Sequence, residues 1–261
     1  MNNILSIIIP SRNEKYLNKT VESLLSRARG EIEIIEILDG YWTPFIADPR
    51  VKIIHFGEAK GMRNGINAGV AIAKGDYILK CDAHVKVARG FDIKIIESIK
   101  DKTIIVPRRY RLDAEKWEVI KDGRPPIDRM YLSSDLRGKD WQAGNHPELD
   151  IEETPSLQGS LWAMKKSYFK ELELLDSDTY RTFWSESQEI GFKCWLSGGR
   201  ILVNKKTYYA HLHKSERGYS LPDEDKEKAR KAVEKWKEGN AWHKQKYPLS
   251  WMWEHFPDMP K

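Results

Sequence analysis

Four short apolar runs, Ile4–Ile9, Ile32–Leu38, Val51–Phe56 and Asp76–Leu79, fall in the first third of the chain, separated by stretches of different character. Each is too short for an ordinary helix and too continuously apolar for a strand with one wet face. That is the pattern of strands buried on both sides. The first run is ended by Pro10, after which Ser11 or Asn13 is placed to cap a helix. Residues 16–29 repeat apolar side chains at Leu17, Val21, Leu24 and Leu25, a helical period that Gly30 stops. Gly61–Ala73 reads as a second helix despite its glycines, and Gly75 leads into the fourth run. Strand, helix, strand, strand, helix, strand predicts a nucleotide-binding α/β sandwich around a mostly parallel sheet. Ligands of such sheets sit at the carboxyl ends of the strands. Three polar clusters fall at those ends: Pro10–Glu14, Asp39 and Asp82–His84.

The third cluster lies in Lys80-Cys81-Asp82-Ala83-His84. Residues two apart at a strand end can turn the same way, so a carboxylate and an imidazole can face one point. Mixed oxygen and nitrogen ligation suits a divalent ion of intermediate hardness, with Mn²⁺ favoured over Mg²⁺. Such an ion bridges the phosphates of a nucleotide and neutralises a departing diphosphate. An isolated D-x-H is more often an ordinary loop; its place at a strand end raises its weight. Neither G-x-G-x-x-G after a strand nor G-x-x-x-x-G-K-[ST] occurs, which argues against a dinucleotide oxidoreductase and a P-loop enzyme.

At 261 residues the chain can bury a substantial core, and a net charge of +5 permits an anionic ligand without announcing nucleic acid. The two cysteines, Cys81 and Cys194, sit in an apolar strand and a helical pattern, so no disulfide framework is expected. The N-terminal apolar run is too short to span a membrane and carries no cleavage site, which predicts a cytoplasmic protein without an anchor.

Further on, a helix is expected near Phe91–Ile99 and a strand at Thr103–Val106. Residues 108–155 show no long period and read as an irregular insert over the active edge, where an acceptor would lie. An apolar run resumes at Leu157–Met164, with a helix at Ser167–Leu175. Another helix begins at Phe183–Glu186 and continues to Gly198-Gly199. Then come a strand at Arg200–Val203 and a loop holding His211 and His213. The expected organisation is a catalytic domain over residues 1–221, with a nucleotide-binding half (1–106) and an acceptor half (107–221), followed by a helical, Trp-rich extension (222–261). The extension, with Trp236, Trp242, Trp251 and Trp253, is expected to pack on the core.

The chain resembles metal-dependent nucleotide-sugar glycosyltransferases of the single Rossmann-like (GT-A) type. Ser6–Glu14 is similar to the opening strand and P-x-x-N-E loop of their large inverting family, and Lys74–His84 to its A-x-G-D-x-I-x-x-x-D-x-D segment. A final His in place of Asp is the form found in polypeptide N-acetylgalactosaminyltransferases. Gly159–Phe169 and Trp184–Trp195 are similar to two further motifs of those enzymes.

The resemblance implies transfer of a sugar from a UDP-sugar to an acceptor hydroxyl, with Asp82, His84 and His211 holding the metal and His213 as substitute for His211. It implies Asp39 at the uracil or ribose, Arg63 and Asn64 at the nucleotide, and Pro10 and Asn13 framing the base. Trp162 and Trp184 would stack under or shape the pocket of the sugar, whereas Trp195 with Phe192 is expected in the core. Glu186 and Glu189, three apart at a helix start, are the candidate catalytic carboxylates, with Glu186 favoured for sugar and acceptor contact. The segment 212–221 is expected to close over bound donor. Acceptors left open are a glycan, a protein, a lipid-linked sugar and, as a minority reading, modified DNA. Competing functions are a non-catalytic nucleotide-sugar-binding protein and a sugar-phosphate nucleotidyltransferase.

Overall fold

The computed structural model describes residues 3–214 and 219–260. In chain order the elements are β1 (Leu5–Ser11), α1 (Leu17–Arg27), β2 (Ile32–Asp39), β3 (Val51–Phe56), α2 (Met62–Ile72), β4 (Tyr77–Cys81), β5 (Val85–Val87), α3 (Phe91–Ser98) and β6 (Thr103–Asp113). They continue with β7 (Glu118–Val119), β8 (Met130–Leu132), β9 (Gly138–Asp140), β10 (Ile151–Glu153), β11 (Leu161–Lys165) and α4 (Lys166–Glu171). Last come α5 (Ser177–Tyr180), α6 (Glu186–Leu196), β12 (Arg200–His211), α7 (Asp223–Glu234) and α8 (Trp251–His255).

One large sheet runs β10-β12-β6-β11-β4-β1-β2-β3. Strands β4, β1, β2 and β3 are parallel, as their buried, continuously apolar sequences require. Strand β11 enters antiparallel between β4 and β6, and β12 runs parallel to β6. Two apolar layers cover the sheet. One holds Ile8, Ile37, Ile66 and Trp162, the other Ile7, Leu24, Ile34 and Phe91. The glycines of α2 have a packing reason: a Cβ at Gly65 would sit 2.9 Å from Ile37 Cγ2, and one at Gly69 would sit 2.7 Å from Ile8 Cγ2. Only bare backbone lets this helix lie so close to β1 and β2.

Several boundaries differ from the sequence reading. Strand β6 continues past Val106 to Asp113, so the insert begins as an extension of the sheet. His211 lies in a strand, because β12 runs from Arg200 through His211 with an irregularity between Asn204 and Tyr208. The short β5 pairs with the end of β12, His211 opposite Val85. The first helix is not capped by Ser11 or Asn13: Ser11 Oγ meets Tyr41 Oη at 2.5 Å, and Asn13 is exposed with φ of 51°. Helix α4 stops at Glu171, since Glu173 and Leu175 take positive φ, and α6 starts at Glu186 behind Ser185 at φ 60°.

The C-terminal segment packs on the same core. Trp236, 1% exposed, lies against Phe192 and donates from Nε1 to Tyr180 Oη at 2.7 Å, and Trp195 stands edge-on to Phe256. Truncating a buried tryptophan of this kind costs about 3–5 kcal/mol. No helix among the described residues is long and apolar enough to cross a membrane.

Candidate active site

The ends of β1, β2 and β4 open into a cleft of about 350 Å³. Pro10, Ser11, Glu14, Asp39, Lys80, Asp82, His84, Gly159, Ser160, Phe183, Glu186 and His211 are among its lining. Three ligand atoms, one each from Asp82, His84 and His211, lie within 4.8 Å of one another. Asp82 and His84 arrive on the turn between β4 and β5. His211 arrives from the far end of β12, carried there by its pairing with β5. His211 Nε2 lies 3.1 Å and His84 Nε2 3.9 Å from Asp82 Oδ2.

The surroundings suit a cation. His84 turns its other nitrogen, Nδ1, to Glu14 Oε2 at 3.0 Å. A carboxylate behind the distal nitrogen is the arrangement that fixes a metal-binding imidazole. Burial, opposed by Asp82, holds the His211 pKa below its ordinary value, so the ring is neutral and ready to ligate near pH 7. Burial would raise the Asp82 pKa, but the Lys80 charge and the contacts with His211 and His84 outweigh it and keep the group ionised. Glu14 is likewise held low, against burial, by His84 and Lys214. Cys81, between Lys80 and Asp82, is a buried free thiol whose pKa burial drives far up, so it supplies neither a nucleophile nor a ligand.

Lys80 sits at the floor of the cleft, 1% exposed. Its ammonium donates to Asp82 Oδ1 at 2.8 Å and Gly159 O at 2.6 Å, with Glu186 Oε2 at 3.4 Å. Burial alone would lower its pKa; the Asp82 and Glu186 charges overcome that and lift it above the ordinary lysine value. Glu186 Oε1 accepts from Trp162 Nε1 at 2.8 Å. Burial raises the Glu186 pKa despite Lys80 and that bond, leaving a fixed, poorly solvated carboxyl at the cleft wall. Asp39 accepts the N–H of Lys60 at 2.6 Å and of Gly61 at 3.0 Å, which ties the tip of β2 to the start of α2.

Not every expected residue reaches the cleft. Glu189 is fully buried, pairs with Arg63, meets Lys193 at 2.8 Å and accepts the N–H of Asp176 at 3.0 Å, so it is a structural anchor and not a catalytic carboxylate. Arg63, 0% exposed, is spent on Glu189 and the Trp184 carbonyl beneath α2, so it cannot touch a nucleotide in the cleft. Asn64 donates to the Lys60 carbonyl at 2.7 Å and does not line the cleft. Trp162 lies in the core against Phe169 and reaches the site only through its bond to Glu186, so it cannot stack on a sugar. Trp184 lies outside the cleft lining with Lys226 above its ring; its neighbour Phe183 takes the place expected of it. Asn13 sits on an exposed bend at positive φ and is not part of the cleft lining. His213 is exposed beside His211, 5.2 Å between ring centroids, and stands outside the three-residue cluster. Leu212, Lys214, Tyr219 and Leu221 line the cleft, but the expected closing segment includes residues 215–218, which lie outside the described residues.

Lys80 and Ser160 line the cleft without having been expected there, and Glu14, expected only as part of the Pro10–Glu14 cluster, takes a position of its own behind His84. Lys80 carried a usable signal, a lone ammonium inside an apolar strand. The Ser160 hydroxyl is held by Tyr209 Oη at 2.6 Å, a contact across 49 positions that no local pattern announces.

The sequence profile of glycosyl transferase family 2 matches residues 6–172. Polypeptide N-acetylgalactosaminyltransferase 11 of Xenopus tropicalis is 27% identical over 243 residues, covering 83% of this chain and 39% of its own length. Polypeptide N-acetylgalactosaminyltransferase 3 of Drosophila melanogaster is 24% identical over 241 residues, covering 83% and 36%. This chain thus spans about two-fifths of the length of such relatives. The fold is shared with the crystal structure of GalNAc-T7 with UDP, GalNAc and Mn²⁺, at TM-score 0.74 and 22% identity over 91% of this chain and 48% of that one.

Proposed function

The chain belongs to glycosyl transferase family 2, and from that premise we propose that it transfers the sugar of a UDP-sugar to an acceptor hydroxyl, with Mn²⁺ at Asp82, His84 and His211. The observation that carries this reading is the convergence of three ligand atoms within 4.8 Å at the mouth of a strand-end cleft, with Glu14 behind His84. The crystal structure of GalNAc-T7 with UDP, GalNAc and Mn²⁺, which shares the fold, supports the choice of donor and metal. A divalent cation bound there supplies positive charge to the diphosphate as it leaves the sugar.

The chain's own residues do the rest. Asp39 and Pro10, at the tips of β2 and β1, take the base and ribose side of the cleft. Lys80 holds Asp82 and Glu186 apart at fixed positions, so both carboxyls are organised before substrate arrives. Glu186 is placed to accept a hydroxyl of the sugar or acceptor, since its Oε1 is steadied by Trp162 and its side chain faces the cleft. Lys214, paired with Glu14, adds a cation to the cleft lining.

The test is a panel of UDP-sugars with Mn²⁺, scored for UDP release, with His84→Ala as the blank. Release by the native protein and none by the variant is expected. Retained UDP binding with no release from any donor, in the presence of glycan, peptide and nucleic-acid acceptors, would make the protein a sugar-nucleotide binder instead.

A further inference from the structure

Beyond the donor cleft lies a second, wider groove of about 710 Å³, and Leu212 and His213 line both. Its cationic wall is Arg109, Arg111 and Arg124, and its apolar lining is Leu112, Ile120 and Ile127. Strand β6 runs parallel to β12 with Arg109 opposite Tyr209 and Arg111 opposite His211. Paired residues of neighbouring strands share a face, so both guanidinium groups stand on the His211 side of the sheet, spaced by about 7 Å. Their backbone is pinned from the other edge too. Arg109 exchanges N–H···O bonds of 2.9 and 2.8 Å with Ile127, and the Arg111 carbonyl accepts from Ile120 at 2.9 Å.

What sets these arginines apart is that no carboxylate among the described residues comes within ion-pair distance; Asp140 acts on Arg109, and Asp122 on Arg111, only from further off. Arg108, the next residue, is clamped by both oxygens of Asp128 at 2.7 Å each. Among the described residues neither Arg109 nor Arg111 pairs with a carboxylate. Arg124 lies on Asp122, which it meets at 2.6 Å from Nε. The acids at the far end are Asp113, whose Oδ1 is taken by the N–H groups of Glu115 and Lys116, and the exposed Glu115. A half-buried guanidinium without a partner costs stability, and it is the group best suited to grip phosphate through several donors at once. Guanidinium groups beside apolar side chains in one open groove match a ligand that carries both phosphate and flat, weakly polar rings.

We propose that this groove seats the phosphodiester backbone of a nucleic-acid acceptor, so that the hydroxyl receiving the sugar belongs to a nucleotide of that strand. The proposal rests on the sugar transfer proposed above and names its acceptor. Arg109, Arg111 and Arg124 meet the phosphates of the strand and fix its register, Ile120 and Ile127 meet its rings, and the passage at Leu212–His213 leads one nucleotide toward Glu186 and the donor.

The experiment follows a fluorescein-labelled 12-nucleotide single-stranded DNA by anisotropy from 50 to 300 mM NaCl, for the native chain and for Arg111→Ala/Arg124→Ala. Competitors are an uncharged Ser/Thr peptide and polygalacturonate matched in charge. The double variant is expected to bind at least tenfold more weakly at 100 mM salt. Its plot of log affinity against log salt should be shallower by about 1.4, the yield of two lost phosphate contacts. The peptide should not compete, and polygalacturonate should compete weakly. Equal binding by both proteins, or displacement of the DNA by polygalacturonate charge for charge, would overturn the proposal. UDP release from donor into water is measured in parallel and should be the same in both proteins, which also shows that the variant is folded. If the native chain releases no UDP from any donor, the transferase reading falls, while the salt slopes still decide the groove.

Discussion

At the floor of the strand-end cleft Lys80 is held by Asp82, Glu186 and the Gly159 carbonyl; in the neighbouring groove Arg109 and Arg111 are half-buried beside apolar side chains, and among the described residues no carboxylate reaches ion-pair distance of either. The first arrangement is finished before any ligand arrives. Each charge has its opposite, the desolvation of Lys80 is offset locally, and the positions of two carboxyls are set by the fold. The second is unfinished in the same sense, and its completion must come from outside. A third case lies in the core, where Arg63, Glu189 and Lys193 form a closed set with no access to either site. Completed charge near a cleft organises chemistry, completed charge in the core holds elements together, and incomplete charge at the surface waits for a partner.

The core set gives the largest effect. Glu189→Ala leaves Arg63 buried and unpaired, so unfolding in urea should show a loss of about 3–5 kcal/mol. Glu186→Gln should leave stability within about 1 kcal/mol and lower sugar transfer instead; the reverse pattern would break the division between the two glutamates. Next is Asp82→Asn, which removes a ligand and the partner of Lys80. UDP release at fixed Mn²⁺ should fall by about 10²–10³, equivalent to about 3–4 kcal/mol on the barrier. A fall below tenfold would separate the carboxylate from the metal.

Glu36 tests the rule from the opposite sign. It is 0% exposed in β2, neither of its carboxylate oxygens has a hydrogen-bond partner among the described residues, and burial pushes its pKa up to about 7. The folded state therefore holds a proton that the unfolded chain releases at lower pH. Stability should be full below about pH 4.5 and should decline as pH rises through 7, by roughly 2–3 kcal/mol. Glu36→Gln should abolish that slope in urea melts run at pH 5, 6, 7 and 8. The smallest effect is at Glu14, whose carboxylate backs His84. Glu14→Gln should weaken Mn²⁺ binding, read by calorimetry, by about 10- to 100-fold while the three ligands stay in place.

The parallel half of the sheet was legible because its strands are buried on both faces and announce themselves as uninterrupted apolar runs. Asp39, Asp82 and His84 were legible for the same reason, since the end of such a run is where a ligand-facing loop must start. Strand β12 was not, because Lys205, Lys206 and Thr207 interrupt the apolar pattern where the strand is irregular. Losing that strand hid the pairing with β5, too short at Val85–Val87 to show a period, and so hid why His211 meets His84. The mistaken sites share a cause. Arg63, Glu189 and Trp162 lie on the elements that build the cleft but face inward, and motif position alone does not say which way a side chain turns.

Helix α2 rests on β1 and β2 through Gly69, and its first residues deliver the Gly61 N–H to Asp39. The height of that helix above the sheet is thus part of the gauge of the berth proposed for the nucleotide. One methyl added at Gly69, which meets no ligand, would tilt or lift the whole rod and loosen the seat of the base at its other end. A screen for weakened nucleotide capture should return this glycine as often as the residues at the berth itself, and a repair should appear as a trimmed Ile8 opposite.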